Sequence, residues 1–185
     1  MAGERKQQIL ESLAKMLESP KREKITTASL AAKLDVSEAA LYRHFANKAQ
    51  MFEGLIVFIE ETIFGLINKI STEETEGLRQ VQRIITMLLV FAEKNPGMTR
   101  VLIGDALVNE DEKLQQRINQ LYDRIEVTLK QSLRIAETQT ANQGHAEAQA
   151  NLIVCYVIGR WQQYAKSGFK RKPTEFAEHQ LPNLL

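Results

Sequence analysis

An all-α fold is what this 185-residue chain predicts, on three observations. Glycine (9) and proline (4) are scarce. Apolar residues recur at helical spacing through long stretches bounded by good capping residues. No stretch of convincing length alternates with period two, as a half-buried strand would. Apolar residues make up 44% and charged residues 25%, the balance of a soluble globular protein long enough to bury a core.

The elements follow in order. Arg5–Glu18 sets Ile9, Leu10, Leu13, Met16 and Leu17 on one face, and Ser19–Pro20 stops that helix. After a charged loop, "ITTASLAAKL" opens with Thr26 and Thr27, both suited to N-capping. Leu30, Ala31, Ala32 and Leu34 give this short helix a small apolar inner face. "DVS" breaks it: Asp35 tolerates a left-handed turn, Ser37 caps the next helix, and Glu38 suits its first turn. That helix is predicted over Glu38–Phe45, with Leu41 and Phe45 an apolar i, i+4 pair. "ANK" is a second break, and Asn47 caps a long helix from Lys48 to about Ile70. Amphipathic helices then run over Thr75–Lys94, after the "NPG" turn at Asn95–Gly97, from Asp111 to Ala136, from Ala146 to Lys166, and from near Pro173. The connector "TQTANQGH", Thr138–His145, is the most polar and flexible.

Composition excludes several classes of function. The lone Cys155 cannot form an internal disulfide and, within an apolar run, reads as a core thiol in a reducing cytosol. The charged N-terminus lacks the apolar region of a signal peptide. The longest apolar stretch, around Ile84–Ala92, is far short of the ~20 residues of a membrane span. A soluble cytoplasmic protein with no membrane partner is expected. His44, His145 and His179 have no metal-ligand spacing and no nucleophile–base–orienter arrangement, so no catalytic residue, metal or cofactor is expected. "NEDE", Asn109–Glu112, lacks the spacing of a calcium loop and reads as a solvated helix start. Net charge is +1, but residues 1–50 carry nine Lys and Arg against six Asp and Glu. That end suits a polyanion better than the rest.

Two short helices joined by a tight turn, the second bearing polar and basic groups, make a DNA-binding helix-turn-helix. The first helix is small on its inner face, so the pair can cross closely. The second leaves Glu38, Ala39, Tyr42 and Arg43 for the major groove while Leu41 and Phe45 anchor it. Glu38 suits a cytosine N4 donor, Ala39 a thymine methyl, and Arg43 a guanine or a phosphate.

Residues 25–52, "ITTASLAAKLDVSEAALYRHFANKAQMF", resemble the helix-turn-helix of the TetR family. Thr27, Leu30, Ala31, Val36, Ser37, Leu41, Tyr42, His44, Phe45 and Lys48 occupy matching positions, with Asp35 where glycine is usual. The resemblance implies phosphate contacts by Tyr42, His44 and Lys48. Thr26, Thr27 and Ser37 complete the candidate DNA surface. It also implies a three-helix DNA-binding domain over residues 1–48 and a helical dimerisation and partner-binding domain over 49–185. A homodimer on palindromic double-stranded DNA follows, because two recognition helices must meet successive major grooves. Ile118, Leu121, Tyr122, Ile125, Leu152, Tyr156 and Trp161 are the candidate dimer contacts, with intramolecular core as their other role.

A narrower resemblance, carried by "AEKNPGMTRVLIGDAL" and "RINQLYDRIE" as well, covers the chain up to about Arg134. It points to the nucleoid occlusion factors within that family, which act on cell division rather than transcription. Bound to scattered chromosomal sites, they engage the division protein FtsZ and prevent septum assembly over DNA. The resemblance implies a nucleoid-associated protein whose partner surface includes Phe58, Lys94 and Asn95. The alternative is a repressor responding to a small-molecule effector, with Met87, Phe91, Met98 and Trp161 lining a pocket rather than filling a core.

Overall fold

The computed structural model describes residues 2–19, 25–141 and 144–185. Among them every regular element is helical: α1 Ala2–Leu17, α2 Thr27–Lys33, α3 Glu38–Tyr42, α4 Lys48–Glu73, α5 Gly77–Lys94, α6 Pro96–Leu102, α7 Glu112–Thr140, α8 Ala146–Lys166 and α9 Ala177–Leu184, with a 3-10 turn at Asp105–Leu107. Pro20 and the charged loop to Lys24, and Asn142 and Gln143 of the polar connector, lie outside the described residues. The chain packs as two compact units. The first is Met1–Ile59 with Asn95–Ile118; the second is Glu60–Lys94 with Asn119–Leu185. This division by packing runs through α4 and α7 rather than between helices.

In the first unit, α1 packs on α2 and α6, and Ile9, Leu13 and Leu17 of α1 are buried, as are Leu30, Ala31, Leu41, Phe52, Leu55 and Ile56. Gly97 explains the "NPG" turn. A Cβ there would lie 1.9 Å from the Ala14 carbonyl oxygen, so only glycine lets α6 come so close to α1. Pro96 sits at the start of α6, where its missing N–H costs nothing. Ala32 is exposed and Leu34 half-buried, so the inner face of α2 is Leu30 and Ala31 alone.

In the second unit, α5 packs on α8. Trp161 is fully buried and donates its indole N–H to the Leu88 carbonyl at 3.1 Å. The Tyr122 ring packs beside it, tilted by 42° with centroids 6.4 Å apart, and burial pushes the Tyr122 phenol well above its ordinary range. Phe91 and Trp161 are therefore core side chains; Met87 and Met98 are half-buried.

Most helix ends shift by one to three residues, and three of the differences have a visible cause or consequence. The helix α3 ends at Tyr42, three residues early. Thr138–Thr140, expected in a loop, continue α7. There Gln139 donates to the Thr75 carbonyl and accepts from the Gly77 N–H, which makes α7's end a cap for α5. The last helix begins at Ala177 rather than near Pro173, because the buried Arg160 takes the carbonyls of Lys172, Pro173 and Glu175 at 2.9, 3.1 and 2.6 Å.

Candidate nucleic-acid interface

The helix-turn-helix is built by interactions between near neighbours. Thr26 caps α2: its hydroxyl accepts from the Ser29 N–H at 3.1 Å, and the Ser29 hydroxyl accepts from the Thr26 N–H at 3.0 Å. This reciprocal pair satisfies two donors that a helix start leaves open. The helix ends in a Schellman turn: the Val36 N–H reaches the Ala31 carbonyl at 3.0 Å, and the Asp35 N–H reaches Ala32 at 3.2 Å. Asp35 takes the left-handed conformation this turn requires, φ 53°. The usual glycine is thus replaced by one of the few residue types that adopt it at modest cost. Ser37 then caps α3 through the Ala40 N–H.

Leu41 and Phe45 are buried and fix the roll of α3. That roll leaves Glu38, Ala39, Tyr42 and Arg43 exposed, Tyr42 to 45%. Three of the candidate contacts are joined. The Thr27 hydroxyl donates to the Glu38 carboxylate at 2.6 Å, and the Tyr42 hydroxyl reaches Thr27 at 3.3 Å. Glu38 is held at the leading end of α3 with acceptor capacity left on its carboxylate. His44 is half-buried at the helix end, its N–H on the Leu41 carbonyl.

Lys48 begins α4, whose N-terminal N–H groups suit an anion. Asn47 caps that helix by accepting from the Gln50 N–H at 2.9 Å, and Gln50 returns to the Ala46 N–H. The Lys48 ammonium is not simply poised for phosphate, however. It forms an ion pair with Glu110 and lies 5.6 Å from the centre of the Phe52 ring. Glu110 is a residue that sequence reasoning missed. The "NEDE" run was expected to be solvated, yet the Glu110 side chain is only 13% exposed. Asp111 and Glu112 do form the exposed helix start, with Asp111 accepting from the Lys113 N–H.

The remaining candidates divide by exposure. Phe58 is 38% exposed; Lys94 is exposed, and Asn95 is half-buried just ahead of α6, its carbonyl accepting from Thr99. Of the candidate dimer contacts, Ile118, Leu121, Ile125 and Trp161 are buried inside the chain itself. Tyr156 is half-buried and donates to Gln180 at 2.8 Å. Leu152 is 53% exposed, on a face of α8 it shares with Asn151, Cys155 and Gly159. Cys155 is therefore a surface thiol and not a core one: α8 turns Ile153, Val154 and Val157 inward and leaves Cys155 on the opposite side. Val127 of α7, also missed, is 48% exposed.

Comparison with known proteins shows the family and the fold. Residues 23–55 match the TetR family of bacterial regulatory proteins, and residues 75–185 match the SlmA-like, tetracyclin repressor-like C-terminal domain. The nucleoid occlusion factor SlmA of Alteromonas mediterranea is 53% identical over 174 residues, covering 92% of this chain and 89% of that protein. The chain belongs to the SlmA family. SlmA of Shewanella loihica is 51% identical over 178 residues, covering 94% of this chain and 90% of the relative. Membership extends to residue 185, so the resemblance does not stop near Arg134 as the motifs alone suggested. Solved structures share the fold. The regulator FadR of Bacillus subtilis, in complex with stearoyl-CoA, gives a TM-score of 0.77 at 14% identity, covering 96% of each chain. The TetR family regulator PfmR of Thermus thermophilus gives 0.78 at 20% identity, also covering 96% of each chain. The protein is a DNA-binding regulator of TetR type and not an enzyme. Among the described residues no helix is long and apolar enough to cross a membrane.

Proposed function

We propose that this chain acts as a homodimeric nucleoid occlusion factor, binding palindromic sites spread over the chromosome and inhibiting FtsZ-driven septum assembly over the DNA it occupies. One observation carries the reading: an exposed recognition helix with a prearranged Glu38–Thr27–Tyr42 cluster, in a chain more than half identical to a protein named for nucleoid occlusion. Residues 1–48 supply DNA contact and residues 49–185 supply dimerisation and partner binding. The protein works in the cytoplasm, on the nucleoid.

Glu38, Ala39 and Arg43 read base edges, while Tyr42, His44, Lys48 and the helix-start residues Thr26, Thr27 and Ser37 position the backbone. The dimer face is the outward side of α8, with Leu152 at its centre and Gly159 allowing another helix close; a Cβ on Gly159 would meet nothing within 4 Å. Tyr156 borders that face, and Tyr122 with the buried Ile118, Leu121, Ile125 and Trp161 supports it from within. Phe58, Lys94 and Asn95 belong to the FtsZ-facing surface. Phe58 is a large apolar side chain left 38% exposed, the type of residue that anchors a protein partner.

The reading is tested with purified FtsZ, GTP and chromosomal fragments recovered with the protein, following polymer assembly by light scattering. The wild-type protein with such DNA suppresses assembly. Phe58→Ala keeps its DNA affinity and loses the suppression. A Phe58→Ala variant that loses DNA affinity as well contradicts the separation of the two roles.

A further inference from the structure

The ion pair between Lys48 and Glu110 is built, not incidental. The two residues are 62 positions apart, and both side chains are withdrawn from solvent, 22% and 13% exposed. The backbone that presents Glu110 is unusual. Gly104 has φ 75°, the 3-10 turn Asp105–Leu107 follows, and Asn109 has φ 66°. The Leu107 side chain is buried, and its carbonyl accepts the Glu110 N–H at 3.0 Å. Asn, like Gly, is among the few residue types that adopt the left-handed conformation at modest cost, so this turn is one the sequence encodes. Here the turn brings a carboxylate onto the lysine assigned to a DNA phosphate.

We propose that Glu110 is a latch on Lys48. It holds the ammonium in the free protein, competes with the DNA backbone for it, and so weakens sequence-independent binding. The inference rests on the assignment of Lys48 to a backbone phosphate. A phosphate must displace Glu110 or share the ammonium with it, and in either case a second anion stands beside the contact. Glu110 also borders a cavity of about 220 Å3 that Arg100 lines. Base contacts at α3 are untouched by the latch, so its effect falls on the sequence-independent part of the affinity. That change lowers affinity for all sequences alike and shortens each encounter with DNA, while the ratio between preferred and other sites stays as the α3 contacts set it.

The test is fluorescence anisotropy with a short mixed-sequence duplex across a salt series, for wild type, Glu110→Gln, Lys48→Ala, the double variant, and Glu112→Gln as an exposed-charge control. Glu110→Gln is expected to bind about three- to tenfold tighter, with a steeper salt slope by about one per protomer, because Lys48 no longer exchanges one anion for another. Glu110→Asp, which shortens the reach, moves the same way by less. Lys48→Ala weakens binding, and in that background Glu110→Gln does no more than Glu112→Gln. If Lys48→Ala leaves affinity unchanged, the phosphate assignment falls and the latch with it. If Lys48→Ala weakens binding but Glu110→Gln weakens it too, Glu110 orients Lys48 for phosphate and the latch is wrong. Equal tightening by Glu110→Gln and Glu112→Gln would make Glu110 one more surface charge and overturn the proposal.

Discussion

The exposed face of α3 and the outward face of α8 are built on opposite plans. On α3, two buried side chains fix the helix roll, and what is left outside is short or polar, with Glu38 tied to Thr27 and Thr27 to Tyr42. On α8, the buried side is apolar and large, ending in Trp161, and the outside mixes polar residues such as Asn151 with Leu152 and Cys155, which stand clear of the unit's core beside Gly159. A surface meant for nucleic acid keeps its donors and acceptors solvated and preset until phosphates and bases replace the water. An uncovered leucine has no such use for water, and with the small Gly159 beside it this face suits the second helix proposed above. The chemistry of the two faces fits the partners proposed above: DNA for one, a second copy for the other.

The comparison breaks most severely inside α8. Trp161→Ala removes a fully buried ring and leaves the Leu88 carbonyl without its donor, and is expected to cost about 3–5 kcal/mol in urea denaturation. Leu152→Glu, one face away, is expected to leave the protomer folded by circular dichroism. It should convert the dimer to monomer in sedimentation and lower affinity for a palindromic site by about a hundredfold, or ~2.7 kcal/mol. If Leu152→Glu stays dimeric, the outward face of α8 is not the interface. On α3 the expected effect is smaller and selective. Glu38→Ala should lose about 1–3 kcal/mol of discrimination at one base pair, read by competition between the preferred duplex and its single-base variants. A uniform loss across all duplexes would return Glu38 to a supporting role for Thr27 and Tyr42.

What the sequence made legible follows the range of the interactions concerned. Thr26, Asp35, Ser37 and Asn47 act on backbone groups within three or four residues, so their roles at caps and turns can be read from residue type and spacing. The Lys48–Glu110 pair spans 62 positions and owes its geometry to a left-handed Asn109, so a run of acidic letters looks solvated until the fold brings it to its lysine. The end of α7 was missed for the same reason: Thr138–Thr140 are polar, but Gln139 is engaged by Thr75 and Gly77 of another helix. In α8 the difficulty is one of phase. Apolar residues occur on every side, so periodicity alone does not say that Val154 turns inward and Cys155 outward. Arg160 is the reverse case, a charge buried because three carbonyls of residues 172–175 receive it.

Where the protein sits on the chromosome tests the central claim most directly. A chromosome-wide occupancy map of the native protein is expected to show many palindromic sites spread over the chromosome and sparse around the replication terminus, where division must be allowed. One or two sites beside its own gene or a transporter gene would contradict the account and leave a local transcriptional repressor in its place.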